Sequence, residues 1–303
     1  MVATRELILV SCGERSREHV NPHIMKKILV PCDFSKPAIN AFRLALDIAA
    51  QSKGTVYLFH VIELPVVGDP GVMQVVTMDE SFFRESRKTV VQQFEKLLAK
   101  HGNPDVKTVT SIEYGFFPNL VVNAVENNGM DLVVMGSHGS SGFKEFISGS
   151  NAERIVRRSS VPVLVVKDLY KGAIKNIVFP NTLETEGQEE LIKQVKALQA
   201  FFKATIHIVY VNTPATFTSD TITQKRLKAF AKRFAFKDYT INVFNHENEE
   251  GGILHFSESV GGHLIALGTH GRRGVSHLLN GSLAEDLVNH SKMLIWTAVN
   301  KNE

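Results

Sequence analysis

At 303 residues and 44% hydrophobic content, the chain holds enough apolar material for one large globular domain or two of ordinary size. Its 34 basic and 31 acidic residues leave a net charge of +3, too balanced to suggest a nucleic-acid or membrane surface, so neither is expected as a partner. The two cysteines, Cys12 and Cys32, make no disulfide framework or thiolate metal site, and no apolar stretch nears the roughly 20 residues that cross a bilayer, so a reducing cytoplasm is the expected compartment.

Residues 1–25 read as a poorly ordered leader, with Met25 as an alternative start; Leu7-Ile8-Leu9-Val10 is too short for a secretory signal. A first domain is expected over 26–168. It opens with the buried strand Lys27-Ile28-Leu29-Val30-Pro31, followed by a helix capped by Ser35, with Pro37 in its first turn and Ala38, Ala41, Phe42, Ala45, Ile48 and Ala49 on one face. Thr55 to Val61 is a second strand, rich in β-branched and aromatic residues. An apolar loop, 64–78, comes next, and reads equally as a lid or partner surface and as a loop packed on its own domain. A helix carrying Val90, Phe94, Leu97 and Leu98, a strand from Val106 to Ile112 and a short helix from Pro118 to Glu126 lead to the apolar run Asp131 to Met135.

That run ends in Gly136-Ser137-His138-Gly139, and nine residues later Gly149-Ser150 precedes Asn151 and a helical stretch with Ile155 and Val156 inward; Val161 to Val166 closes the domain. After a short linker near Asp168 to Gly172 the order repeats over 173–299. The second copy has Lys175 to Pro180, a helix with Leu191, Val195, Leu198 and Phe202, Thr205 to Val211, and a helix with Leu227, Phe230 and Phe234. Tyr239 to Phe244, Ile253 to Val260, His263 to Leu267 and a last strand from Met293 to Ala298 complete it. Its glycine loop is Gly268-Thr269-His270-Gly271, then Gly281-Ser282. With glycine at roughly 7% of residues, two copies of G-x2-G-x9-G-[ST] at one spacing call for a shared cause. Alternating strands and helices with right-handed crossovers give an α/β protein of two tandem, doubly wound, five-stranded parallel sheets, Rossmann-like, each with strand order 3-2-1-4-5. The final strands of the two copies are candidates for edge-to-edge pairing within the chain, and homodimerisation beyond that is left open.

In such a sheet the ligand crevice lies beyond the carboxyl ends of strands one and four. Bare glycines and helix starts there offer backbone N–H groups to phosphate oxygens, and Asp33 can accept from a sugar hydroxyl or an adenine amino group. No Walker loop or G-x-G-x-x-G is present. His138 and His270 lack a second ligand at metal spacing, so no metal site is assigned. His60 reads as a packing or capping residue, and the arginines 154, 157, 158, 272 and 273 as exposed side chains with phosphate screening as the alternative.

Through Lys27 to Ser35, Phe59-His60-Val61 and the doubled glycine pattern, the chain resembles the universal stress protein family, as a tandem member. The resemblance implies an adenine nucleotide, ATP or AMP, with or without Mg2+. It places Pro31, Cys32 and Asp33 at the adenosine, Val61 at adenine through its backbone, and Gly136, Ser137, His138, Gly139, Gly149, Ser150 and Asn151 around ribose and phosphates. In the second copy Asn181 and Thr182 stand where Cys32 and Asp33 do, so no carboxylate is offered, while Gly268, Thr269, Gly271, Gly281 and Ser282 keep a candidate phosphate site. The implied role is stress response or signalling through nucleotide-dependent conformation rather than dedicated catalysis. A module that pairs with partners without nucleotide, and a weak ATPase, are the alternatives.

Overall fold

The computed structural model describes residues 25–63, 80–137, 151–183, 187–270 and 281–300. Residues 1–24 of the expected leader, the loop 64–78, and His138, Gly139, Gly149, Ser150, Gly271, Arg272 and Arg273 lie outside the described residues. The first half runs β1 (Lys27–Pro31), α1 (Lys36–Ser52), β2 (Thr55–Ile62), α2 (Glu80–His101), β3 (Lys107–Tyr114), α3 (Phe117–Asn128), β4 (Leu132–Gly136), α4 (Asn151–Arg158) and β5 (Val163–Val166). The second half repeats it as β6 (Asn176–Pro180), α5 (Glu189–Phe202), β7 (Thr205–Asn212), α6 (Asp220–Arg233), β8 (Tyr239–Asn245), α7 (Glu249–Ser259), β9 (Leu264–His270), α8 (Gly281–His290) and β10 (Leu294–Asn300).

Helix α1 forms where its pattern demands. The Ser35 side chain accepts from the Ala38 N–H at 3.4 Å, Pro37 occupies the first turn, and Ala38, Ala41, Phe42, Ala45, Ile48 and Ala49 are all buried against the sheet. The helix stops at Lys53, which takes the left-handed conformation at φ 53°. In α5, Leu191, Val195 and Leu198 are buried in the same way, whereas Phe202 at the last turn is only half-buried.

Each half keeps the order 3-2-1-4-5, but the two sheets are not separate. They join into one ten-stranded sheet, β3-β2-β1-β4-β5-β10-β9-β6-β7-β8. The join is antiparallel, with Val165 opposite Ile295, Leu164 opposite Trp296 and Val163 opposite Thr297. Two identical right-handed units whose last strands lie edge to edge are related by a pseudo-two-fold, and only antiparallel pairing satisfies that relation. Helices cover both faces. One core layer, running through both halves, holds Phe42, Phe94, Phe179, Phe230 and Trp296; the other holds Val121, Ile155, Ile253 and Leu287.

The strands outrun their expected ends at the glycine motif. Gly136 is the last residue of β4, opposite Val166, and β9 continues through Gly268, Thr269 and His270, opposite Ala298, Val299 and Asn300. Apolar periodicity marks where a strand is buried; ladder hydrogen bonds persist past the last apolar residue wherever the neighbouring strand continues.

Candidate functional site

In the first half β1 and β4 are neighbours, paired at Ile28–Leu132 and Leu29–Val133, and β2 and β5 lie on their outer sides. The chain therefore leaves β1 and β4 in opposite directions, opening a crevice beyond their carboxyl ends. Helix α1 starts at this rim with no acidic residue in its first turn, and the Asp33 carboxylate lies just ahead of its N-cap. Helix α4 starts on the same side, at the exposed Asn151.

Asp33 is held at the mouth. The Cys32 N–H donates to the Phe59 carbonyl at 2.8 Å, and His60 Nδ1 donates to the Cys32 carbonyl at 2.7 Å, so both backbone groups of Cys32 are fixed. Phe34 then turns sharply, at φ 63°, and packs on His60 and Phe94 with ring centroids 5.1 and 5.2 Å away. This leaves Asp33 exposed, with Oδ1 accepting from the Ser35 N–H at 3.0 Å and no partner on Oδ2 among the described residues. The Cys32 thiol is buried, and burial pushes its pKa up to about 11, with the Asp33 charge adding to the rise and a Phe34 backbone hydrogen bond opposing it. A thiol so held is protonated at neutral pH and is neither nucleophile nor ligand.

Val61 completes the rim through its backbone. The Phe59 carbonyl points toward β1 and the Ile62 carbonyl away from it, accepting from Gly115 at 3.1 Å. Strand alternation therefore aims the Val61 N–H and C=O at the β1 side, beyond Pro31, where β1 has ended. A donor and an acceptor thus stand on one edge, two residues past a fixed strand pair and beside a carboxylate, with no partner among the described residues.

Of the glycine-motif residues described, Gly136 is bare for a packing reason. A Cβ there would lie 2.4 Å from the Pro37 carbonyl carbon and 2.6 Å from the Ala38 nitrogen. Its glycine lets the first turn of α1 close on β4, which fixes the crevice width. The Ser137 N–H is committed to the Val166 carbonyl at 3.0 Å. Arg158 reaches Asn119 on α3, at 2.8 Å, while Arg154 stands exposed on α4.

The second half repeats the backbone and changes the chemistry. The Asn181 N–H donates to the Val209 carbonyl at 3.0 Å, as Cys32 does to Phe59, and Leu183 takes φ 65°, as Phe34 takes 63°. Asn181, however, is buried: its Nδ2 donates to Gln188 Oε1 at 2.7 Å and its Oδ1 accepts from the Leu183 N–H at 2.7 Å. Thr269 is buried within β9, its hydroxyl donating to the Ala298 carbonyl at 3.4 Å, and Gly281 and Ser282 are the first residues of α8.

The sequence profile of the universal stress protein family matches residues 25–167 and again 173–296. The chain belongs to the universal stress protein family. Universal stress protein MJ0531 of Methanocaldococcus jannaschii is 32% identical over 146 residues, 48% of this chain and 84% of that protein. Universal stress protein MJ0577 of the same organism is 31% identical over 156 residues, 47% of this chain and 94% of that protein. A crystal structure of a universal stress protein from Archaeoglobus fulgidus superposes with a TM-score of 0.72 at 17% identity, covering 91% of this chain and 99% of that one, a likeness of fold.

Within this tandem universal stress protein, sequence reasoning missed Gln188. A polar residue before Glu189-Glu190 reads as an exposed helix start, yet Gln188 is fully buried as the N-cap residue of α5. It also missed the polar seam between halves. Asn289 of α8 donates to Glu153 Oε1 at 2.7 Å, and Lys167 Nζ donates to the Asn289 carbonyl. No signal in the sequence pairs these residues.

Proposed function

We propose that the N-terminal half binds an adenine nucleotide, ATP or AMP with or without Mg2+, and that occupancy biases a conformation or partner surface in stress signalling within a reducing cytoplasm. The observation that carries this reading is the pairing, at one crevice, of the exposed Asp33 carboxylate with the free backbone edge of Val61. The start of α1, with no acidic residue in its first turn, stands on the same rim, where a phosphate tail gains about 0.3 to 2 kcal/mol per charge. Turnover is not required, and the buried thiol of Cys32 supplies no nucleophile.

Heating the protein with ATP or AMP tests it. At a hundred times Kd a ligand specific to the folded state stabilises by about 2.7 kcal/mol, so the melting temperature rises. Asp33→Ala should remove most of that rise at only a small cost to the unliganded melting temperature, because Asp33 is exposed and gives up one hydrogen bond, from the Ser35 N–H. No shift with any adenine nucleotide would overturn the reading. Sustained phosphate release that disappears in Asp33→Ala would instead establish the weak ATPase.

A further inference from the structure

We infer that the counterpart crevice in the C-terminal half is closed to adenine nucleotides by its own side chains, so that one chain carries one nucleotide. This rests on the nucleotide reading of the N-terminal half. Three independent features of the second crevice point the same way.

The first is a side-chain lock. Asn181 occupies the position of Cys32, and both ends of its amide are used, by Gln188 Oε1 and by the Leu183 N–H. Gln188 is 0% exposed and Leu183 5%, whereas the matching turn of the first half leaves Phe34 half-buried and Asp33 exposed; Asn181, at 6%, is buried as Cys32 is. Displacing this turn would break two buried hydrogen bonds, and an unsatisfied buried amide costs about 1 to 3 kcal/mol. The second is the missing acceptor. Thr182 takes the place of Asp33, and its hydroxyl is enclosed without a partner among the described residues. An adenosine would find no carboxylate at the mouth.

The third is charge. The first turn of α1 has no acidic residue, but α5 begins with Glu189 and Glu190. Their ion pairs, to Arg233 at 3.9 Å and Lys193 at 3.7 Å, are long and exposed and neutralise them weakly. These carboxylates stabilise the helix and repel a phosphate at the same point. The retained Gly268 does not undo this. Gly268 lies in the β9 ladder, where a Cβ would meet the Leu191 side chain at 2.5 Å, so packing against α5 accounts for it.

The test is the number of nucleotides held by the full chain, measured by calorimetric titration with ATP and AMP. One per chain, lost in Asp33→Ala and unaffected by Thr182→Val, is the expected result. Two per chain, or a single site that survives Asp33→Ala and weakens in Thr182→Val, would overturn the inference. Binding to neither half defeats the reading of the first crevice, and the lock then has its own measurement by hydrogen exchange without ligand. The Leu183 amide, bonded inside the lock, should exchange slowly in the wild type, and Asn181→Ala should release it. Equal exchange of that amide in the two proteins would show that no lock exists.

Discussion

Gly136 and Gly268 hold matching places in the repeated motif but face different neighbours. At Gly136 an added methyl would press on main-chain atoms of Pro37 and Ala38, at 2.4 and 2.6 Å, which move only if α1 moves. At Gly268 it would meet Leu191 Cδ2 at 2.5 Å, the far end of a side chain that can rotate. Gly136→Ala should therefore cost about 1 to 3 kcal/mol and Gly268→Ala distinctly less, as read from urea midpoints at constant slope. Equal costs would mean that α1 yields as readily as a leucine rotamer. The same comparison marks what the sequence could reveal at this scale. The exposure of Asp33 was legible because a carboxylate just past a buried strand is costly to bury without a partner. The lock was not, because Asn181 and Gln188 are seven positions apart across a turn, and their burial depends on Leu183 folding over them.

Strands and helices were legible because their apolar faces repeat with the periods of two and 3.6 that burial imposes. Their ends were less so, since β9 extends through His270 by pairing with β10, a partner some thirty positions on that carries no local signal. The end of β5 shows how such a junction can govern stability. Lys167 follows β5, and its amine is half-buried against α8, where burial lowers its pKa to about 8 despite the opposing pull of Asp168. In the unfolded chain a lysine titrates near 10.4. Between those values the unfolded state holds a proton that the folded state has released, so stability rises with pH across that window, and below about pH 8 the full cost of the buried charge is present. Lys167→Met removes this dependence. Denaturation at pH 7.5 and at pH 9.5 should show the wild type gaining on Lys167→Met at the higher pH. A constant difference between the two would show that the amine is not desolvated in the fold.

At the scale of the whole molecule the two halves share more than a linker. The antiparallel seam of β5 and β10 is flanked by Trp296, 2% exposed, in a core layer built from both halves. Asn289 and Lys167 tie α8 to the first half across the seam, and Gln51 of α1 donates to the Phe201 carbonyl of α5. Neighbouring domains that meet only through small polar surfaces move and melt separately; a continuous sheet with a shared apolar layer does not allow that. The chain should therefore unfold in one transition, with calorimetric and van't Hoff enthalpies equal. Trp296→Ala empties the centre of the seam, at a cost of about 3 to 5 kcal/mol, and should split the transition as the halves lose their common core. Trp296→Phe keeps an aromatic ring and deletes an indole N–H that has no partner among the described residues, so the lost volume is offset and the single transition survives. Two transitions in the wild type would mean that the seam holds the halves together without coupling their stabilities, and nucleotide in the first crevice would then leave the melting of the second half unchanged; one transition in Trp296→Ala would mean that the coupling does not depend on Trp296. Under the coupled arrangement, any ligand that stabilises the first half raises the melting of both halves together.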